Sequence, residues 1–180
     1  MGKIYPEDIA TEIEQPDFTN LIQQFIYNQE HSNGNSASSL AAPPIFYREI
    51  TIYPSAVAMF HALSNISGIG GMCCEHIHAV KLWRKGPQHH DTIFVNTNPS
   101  TEGMHGLDVA HALLFFLFSH NGIKYLCALV HRFSCTSDPP NNNTRMWEVE
   151  PDLGNNGIKH VSIIHLDTIV RAAHFLPIFG

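Results

Sequence analysis

The sequence predicts a mainly β protein: a small barrel or sandwich of about five to seven strands, with one N-terminal amphipathic helix. Three observations carry this expectation. From residue 90 onward, short apolar stretches alternate with clusters of Asn, Gly, Asp and Pro at the spacing of strands and turns. Two long apolar runs meet at Asn121-Gly122, a dipeptide suited to the tight left-handed turn of a β-hairpin. Only one stretch, at 16–30, has clear helical spacing.

In chain order, residues 1–30 form an acidic segment with that helix, 31–44 a flexible linker, and 45–180 the β-rich domain. In "PDFTNLIQQFIYNQE", Pro16 suits a first turn and Asp17 the positive helix end. Leu21, Ile22, Phe25 and Ile26 make one apolar face, which must dock on something. The linker "HSNGNSASSLAAPP" is polar and small-sided. Cleavage is expected there first, with the helix the least securely held element. "REITIYPS" predicts a strand ended by Pro54, and "SGIGGM" a turn. "DTIFVNT" predicts a strand stopped by Asn-Pro, and "VAHALLFFLFSHNGIKYLCALVHRF" the hairpin. "TRMWEVEPD" is expected to form a strand, "LGNNG" a turn and "IKHVSIIHLDTIV" one further strand, with "RAAHFLPIFG" closing the chain as a bend and short strand. The expected core includes Phe94, Leu114, Phe116, Phe118, Leu129, Trp147, Val149, Ile163 and Ile169.

Composition narrows the function classes. An apolar content of 44% in 180 residues suffices for a packed core. The net charge of −6 argues against a strongly cationic nucleic-acid binder. The charge is uneven: six acids stand against Lys3 in residues 1–30, a balance of −5, which leaves −1 for the other 150. Any nucleic-acid contact is therefore expected to be local. No apolar run of signal-peptide length opens the chain, and "VAHALLFFLF" is too short to cross a bilayer. Four cysteines in no secreted pattern complete the expectation of an intracellular protein, neither secreted nor membrane-bound.

Chemistry concentrates in "GMCCEHIHAVKLWRKGPQHH", 71–90, which holds two of the four cysteines, four of the thirteen histidines and three of the ten Lys/Arg residues. On a strand, Cys74, His76 and His78 would share a face, which makes them a candidate metal cluster and, through it, a hydrolase site. Against it, the adjacent Cys73 and Cys74 and the isolated Cys127 and Cys135 lack zinc spacing, so no metal and no cofactor is expected. No nucleophile elbow or phosphate-binding loop appears, and no enzyme activity is expected. Cys127, within "YLCALV", suits a buried small hydrophobe. The alternative partner is nucleic acid or chromatin: Lys81, Trp83, Arg84 and Lys85 combine an aromatic ring that can stack on bases with cations that neutralise phosphates. A solvated basic turn with Trp83 packed on the domain is the plainer explanation of the same residues.

Several long blocks, "YPSAVAMFHALSNISGIGGM", "WRKGPQHHDTIFVNTNPSTEGMHGLDVAHALLFF", "KYLCALVHRF", "DPPNNNTRMWEVEPD" and "SIIHLDTIVRAAHFLPIFG", resemble in order the C-terminal region of fungal Plavaka-type transposases, of the Kyakuja-Dileera-Zisupton group. The resemblance covers nearly everything after residue 15. It implies a non-catalytic, binding or architectural appendage, because the acidic metal ligands of that family belong to an upstream RNase H-like core outside these residues. It also implies DNA or other transposase domains as partners, and the nucleus as location if the chain acts as those proteins do. Where this chain has Cys73, Cys74, His76, His78, His105 and His111, the family pattern carries basic residues. Arg-to-Cys and Arg-to-His are single C-to-T changes, so the cluster reads as wear on a mobile-element remnant. Such changes exchange permanent cations for groups largely neutral at pH 7.

Overall fold

The computed structural model describes residues 3–31, 43–62, 71–81, 87–101, 103–136, 138–154 and 157–176. The chain opens with a two-residue strand, β1 (Lys3–Ile4), and two helices, α1 (Pro6–Glu12) and α2 (Phe18–His31). Strands follow as β2 (Ile50–Tyr53), β3 (Ser55–His61), β4 (Met72–Val80), β5 (His89–His90), β6 (Thr92–Asn96), β7 (Leu107–His120), β8 (Ile123–Cys135), β9 (Val149–Pro151), β10 (Val161–His165) and β11 (Ile169–Ala173).

The fold is mainly β, and its two sheets stack in a sandwich-like arrangement without closing into a barrel. The eight-stranded sheet is built on the β7–β8 hairpin, which turns at Asn121 (φ 49°) and Gly122 (φ 80°), both left-handed as the Asn-Gly signal requires. One edge of β7 takes β6 along its first half and β2 along its second, and β8 takes β10 and β9 on its far edge. The second sheet is β3-β4-β5.

The chain passes between the sheets at two corners. Pro54, with no N–H to continue a ladder, separates β2 in the large sheet from β3 in the small one. Asp91 makes the return from β5 to β6; its N–H donates to His78 O (2.9 Å) on β4, and its carbonyl accepts from Ala112 N–H (3.0 Å) on β7.

A β-bulge assigns side chains to the two faces of the large sheet. Before it, Ala110 and Ala112 point toward the small sheet; after the unpaired Leu113, Leu114, Phe116 and Phe118 point the other way and Phe115 faces the small sheet. One extra residue thus reverses which parity is buried where. On the helix side, Phe18, Ile22, Phe25 and Ile26 of α2 pack on Phe46, Phe116, Phe118 and Leu129, with edge-on ring pairs Phe18–Phe116 and Phe46–Phe118 both at 5.2 Å. On the other side, Ala58, Ile77 and Ala79 meet Ile93, Ala110, Phe115, Ala128 and Val130.

Several expectations are corrected. The helix is not loosely held: Phe18, Ile22 and Ile26 are fully buried, and β1 ties the same segment to β2. Its apolar face has its partner within this chain, in the phenylalanines of β7. The acidic segment holds a further helix, α1, with Pro6 in its first position and Glu7 and Asp8 in its first turn, where carboxylates suit the positive helix end. Most of the expected linker, 32–42, and residues 67–70 of the expected turn lie outside the described residues. "TRMWEVEPD" yields only β9, after a turn held by Asn141 and a left-handed Arg145 (φ 59°). "IKHVSIIHLDTIV" is two strands, because the 3-10 turn Leu166–Thr168, closed by Thr168 Oγ1 donating to His165 O (2.7 Å), sends β10 to β8 and β11 to β6. Of the expected core, Leu114, Phe116, Phe118 and Leu129 are buried, while Phe94, Trp147, Val149, Ile163 and Ile169 are half-buried.

Candidate functional site

The alternation of β4 decides what its cysteines and histidines can do. Ile77 and Ala79 face the large sheet, and Cys73 and Glu75 share their parity; Glu75 Oε2 accepts from Ala172 N–H (2.8 Å) on β11. Met72, Cys74, His76 and His78 share the outer face. Cys73 therefore parts from the other three members of the sequence cluster. Cys74 and His78 share a face but stand four residues apart, about 13 Å along a strand at ~3.3 Å per residue. That span is too great for one ion, so Cys74, His76 and His78 do not form a common metal site.

The structure brings a different set together. Asp91, held at its corner, lies against His78 and His89. Its Oδ2 accepts from the His78 backbone N–H (2.7 Å) and faces His78 Nδ1 at 3.2 Å, while Oδ1 faces His89 Nε2 at 3.0 Å. These donor atoms all lie within 4.8 Å of one another. The His78 and His89 rings are 5.6 Å apart, and His76 stacks beside His78 at 6.4 Å. His78 and Asp91 are about three-quarters buried and His89 about half, so the group opens to solvent on one side. Sequence reasoning missed His89 and Asp91, because an Asp before a strand is ordinary turn chemistry. The run His89-His90-Asp91, 11 residues after His78, was the available signal once β4 and β5 are seen to pair.

The same pairing positions the basic and aromatic residues. Val80 sits opposite His89 and Ala79 opposite His90, so residues 81–88 connect two paired strands. Lys81 is exposed, and its Nζ donates to Glu12 O (2.8 Å) at the end of α1. Trp83, Arg84 and Lys85 lie outside the described residues.

Two other polar regions stand out among the described residues. A groove of about 350 Å³ lined by His105, Asp108, Arg132, Cys135 and Trp147 contains an Arg132–Asp108 ion pair (2.8 Å), and Arg132 Nε also donates to Ser162 Oγ (2.9 Å). Burial, with Asp108 and Asp138 nearby, pushes the Cys135 thiol up, away from the reactive thiolate. Cys127 is buried as expected, and burial with Asp167 pushes its thiol up to about 12. The third region runs across the large sheet, where His111 pairs with Thr92 on one side and His131 on the other. Burial holds His90, His111 and His131 below the ordinary imidazole value, with neighbouring His89, His90 and Lys159 respectively adding to it. His131 is 3% exposed, and its Nε2 is buried without a hydrogen-bond partner.

In comparisons with family models, curated proteins and solved structures, the chain matches none of them.

Proposed function

We propose that this chain is a non-catalytic binding module of transposase-derived origin, and that it contacts nucleic acid through the connection between β4 and β5. The ancestry rests on the ordered sequence blocks. The contact surface rests on one observation: Val80 and His89 are paired, so Lys81, Trp83, Arg84 and Lys85 fall within a single hairpin connection. Three cations and an indole in five residues suit phosphate neutralisation and base stacking in a chain whose remaining charge is mostly negative. The pushed-up thiols of Cys127 and Cys135 and the engaged Arg132–Asp108 pair support binding over nucleophilic catalysis.

Fluorescence anisotropy with labelled single- and double-stranded DNA, titrated across salt concentrations, tests the proposal. Binding should weaken with salt, and K81Q/R84Q/K85Q should flatten the slope by up to roughly 2.7, at about 0.9 for each phosphate no longer neutralised. A variant that binds with unchanged affinity and salt slope removes the hairpin as the binding surface. Absence of binding in low salt removes nucleic acid altogether.

A further inference from the structure

We propose that His78, His89 and Asp91 form a three-ligand site for a divalent transition metal of the zinc class, with a fourth position open to water. Two donor separations are already close to those of such a site. Tetrahedral bonds of about 2.0–2.1 Å place neighbouring donors about 3.3 Å apart. Here Asp91 Oδ2 stands 3.2 Å from His78 Nδ1 and Oδ1 stands 3.0 Å from His89 Nε2. The three donors lie within 4.8 Å of one another, so a small side-chain rotation brings one oxygen and both nitrogens around an ion. The ligands come from three backbone positions that hydrogen bonds fix relative to one another. Val80 pairs with His89, Asp91 N–H donates to His78 O, and Asp91 Oδ2 accepts from His78 N–H. That carboxylate contact orients a ligand from outside the coordination sphere, as the supporting hydrogen bonds of metal sites do.

Chemistry selects the ion. Two imidazoles and one carboxylate suit a borderline ion better than calcium or magnesium, which prefer all-oxygen cages, or copper(I), which prefers thiolate and thioether. Cys74 is too far along β4 to join, and the half-exposed His89 gives solvent access to the group. On binding, each neutral imidazole presents its unprotonated ring nitrogen to the ion and keeps its proton on the other ring nitrogen. The site clamps both ends of the 81–88 connection, and it stands whether or not that connection binds nucleic acid.

The test is calorimetric titration of zinc alone into the metal-stripped full chain, with cysteines kept reduced. One tight site per chain is expected. Orienting partners alone are worth about 10–100-fold in affinity, so loss of a ligand in His89→Ala or Asp91→Asn should weaken that site by at least about 100-fold. Asn at 91 can still accept from the His78 N–H, and His89 is half exposed, so both variants should keep the wild-type circular dichroism. If Asp91→Asn does not fold, His89→Ala decides alone. Cys74→Ser and His105→Ala should bind as wild type, and cobalt(II) should give a tetrahedral visible spectrum without a thiolate charge-transfer band. The proposal fails if the wild type binds no zinc, if His89→Ala binds it undiminished, or if Cys74→Ser abolishes binding.

Discussion

The two faces of the large sheet are built from different material. Toward the helices it presents Leu114, Phe116, Phe118 and Leu129, met by Phe18, Phe25 and Phe46 in a thick aromatic layer. Toward the small sheet it presents Ala110, Ala112, Ala128 and Val130 beside Ile93 and the single ring of Phe115, met by Ala58, Ile77 and Ala79 in a thinner, mostly aliphatic layer. Asp91 steps from the small sheet to the large one at a corner and hydrogen-bonds to His78 on β4 and Ala112 on β7. The thick layer anchors the helices, while the β4–β5 pairing and the Asp91 corner bring His78, His89 and Asp91 together.

The largest effect should come from removing the helical half of the thick layer. A chain starting at residue 43 loses Phe18, Ile22, Phe25 and Ile26 from the core, and it should be unfolded by circular dichroism. Conversely, a chain nicked between 31 and 44 should keep both pieces together on size exclusion. A folded 43–180 fragment would show that the helices are dispensable and the comparison misplaced. Next in size is Phe116→Ala, which empties an aromatic site and should cost about 3–5 kcal/mol in urea denaturation. On the thin side the sign of the volume change reverses. Ala128 is fully buried, and Ala128→Leu should cost about 1–3 kcal/mol by overpacking.

Acid sharpens the contrast in another way. Imidazoles in the unfolded chain titrate near 6.5, and His90, His111 and His131 are held below that when folded. Between the two values the unfolded chain binds more protons, so stability is full above pH 6.5 and falls as pH drops through it. The urea midpoint should therefore be lower at pH 5 than at pH 7.5. His131→Leu, which also removes the unpartnered Nε2, should reduce the dependence. Smallest of all, Met59→Ser on the exposed outer face of β3 should change stability by no more than about 0.5 kcal/mol.

Which of these features could be read in the sequence follows from how local their causes are. The hairpin was legible because Asn121-Gly122 states its own turn chemistry. The helix was legible because Ile22, Phe25 and Ile26 recur at helical spacing, but its docking was not, since the partners Phe116 and Phe118 lie about ninety residues on. The split of β10 from β11 depends on Thr168 capping a single turn, which no apolar pattern records. Leu113 as a bulge was hidden for the same reason: "VAHALLFFLF" is apolar on both parities, so nothing in it marks where the faces exchange. The candidate site was half visible. His78 stood out within its cluster, whereas His89 and Asp91 join it only through the Ala79–His90 register and a bend between two sheets.

The proposed division between a helix-covered face that holds the fold and a β4–β5 connection that binds nucleic acid is tested most directly by hydrogen exchange with and without DNA at low salt. Peptides covering α2 and the centre of β7–β8 should be the slowest to exchange in both conditions and should not change on binding. Added protection should be confined to peptides spanning Met72–Asp91. Protection appearing over α2, or spread evenly through the large sheet while Met72–Asp91 stays unchanged, would contradict this division.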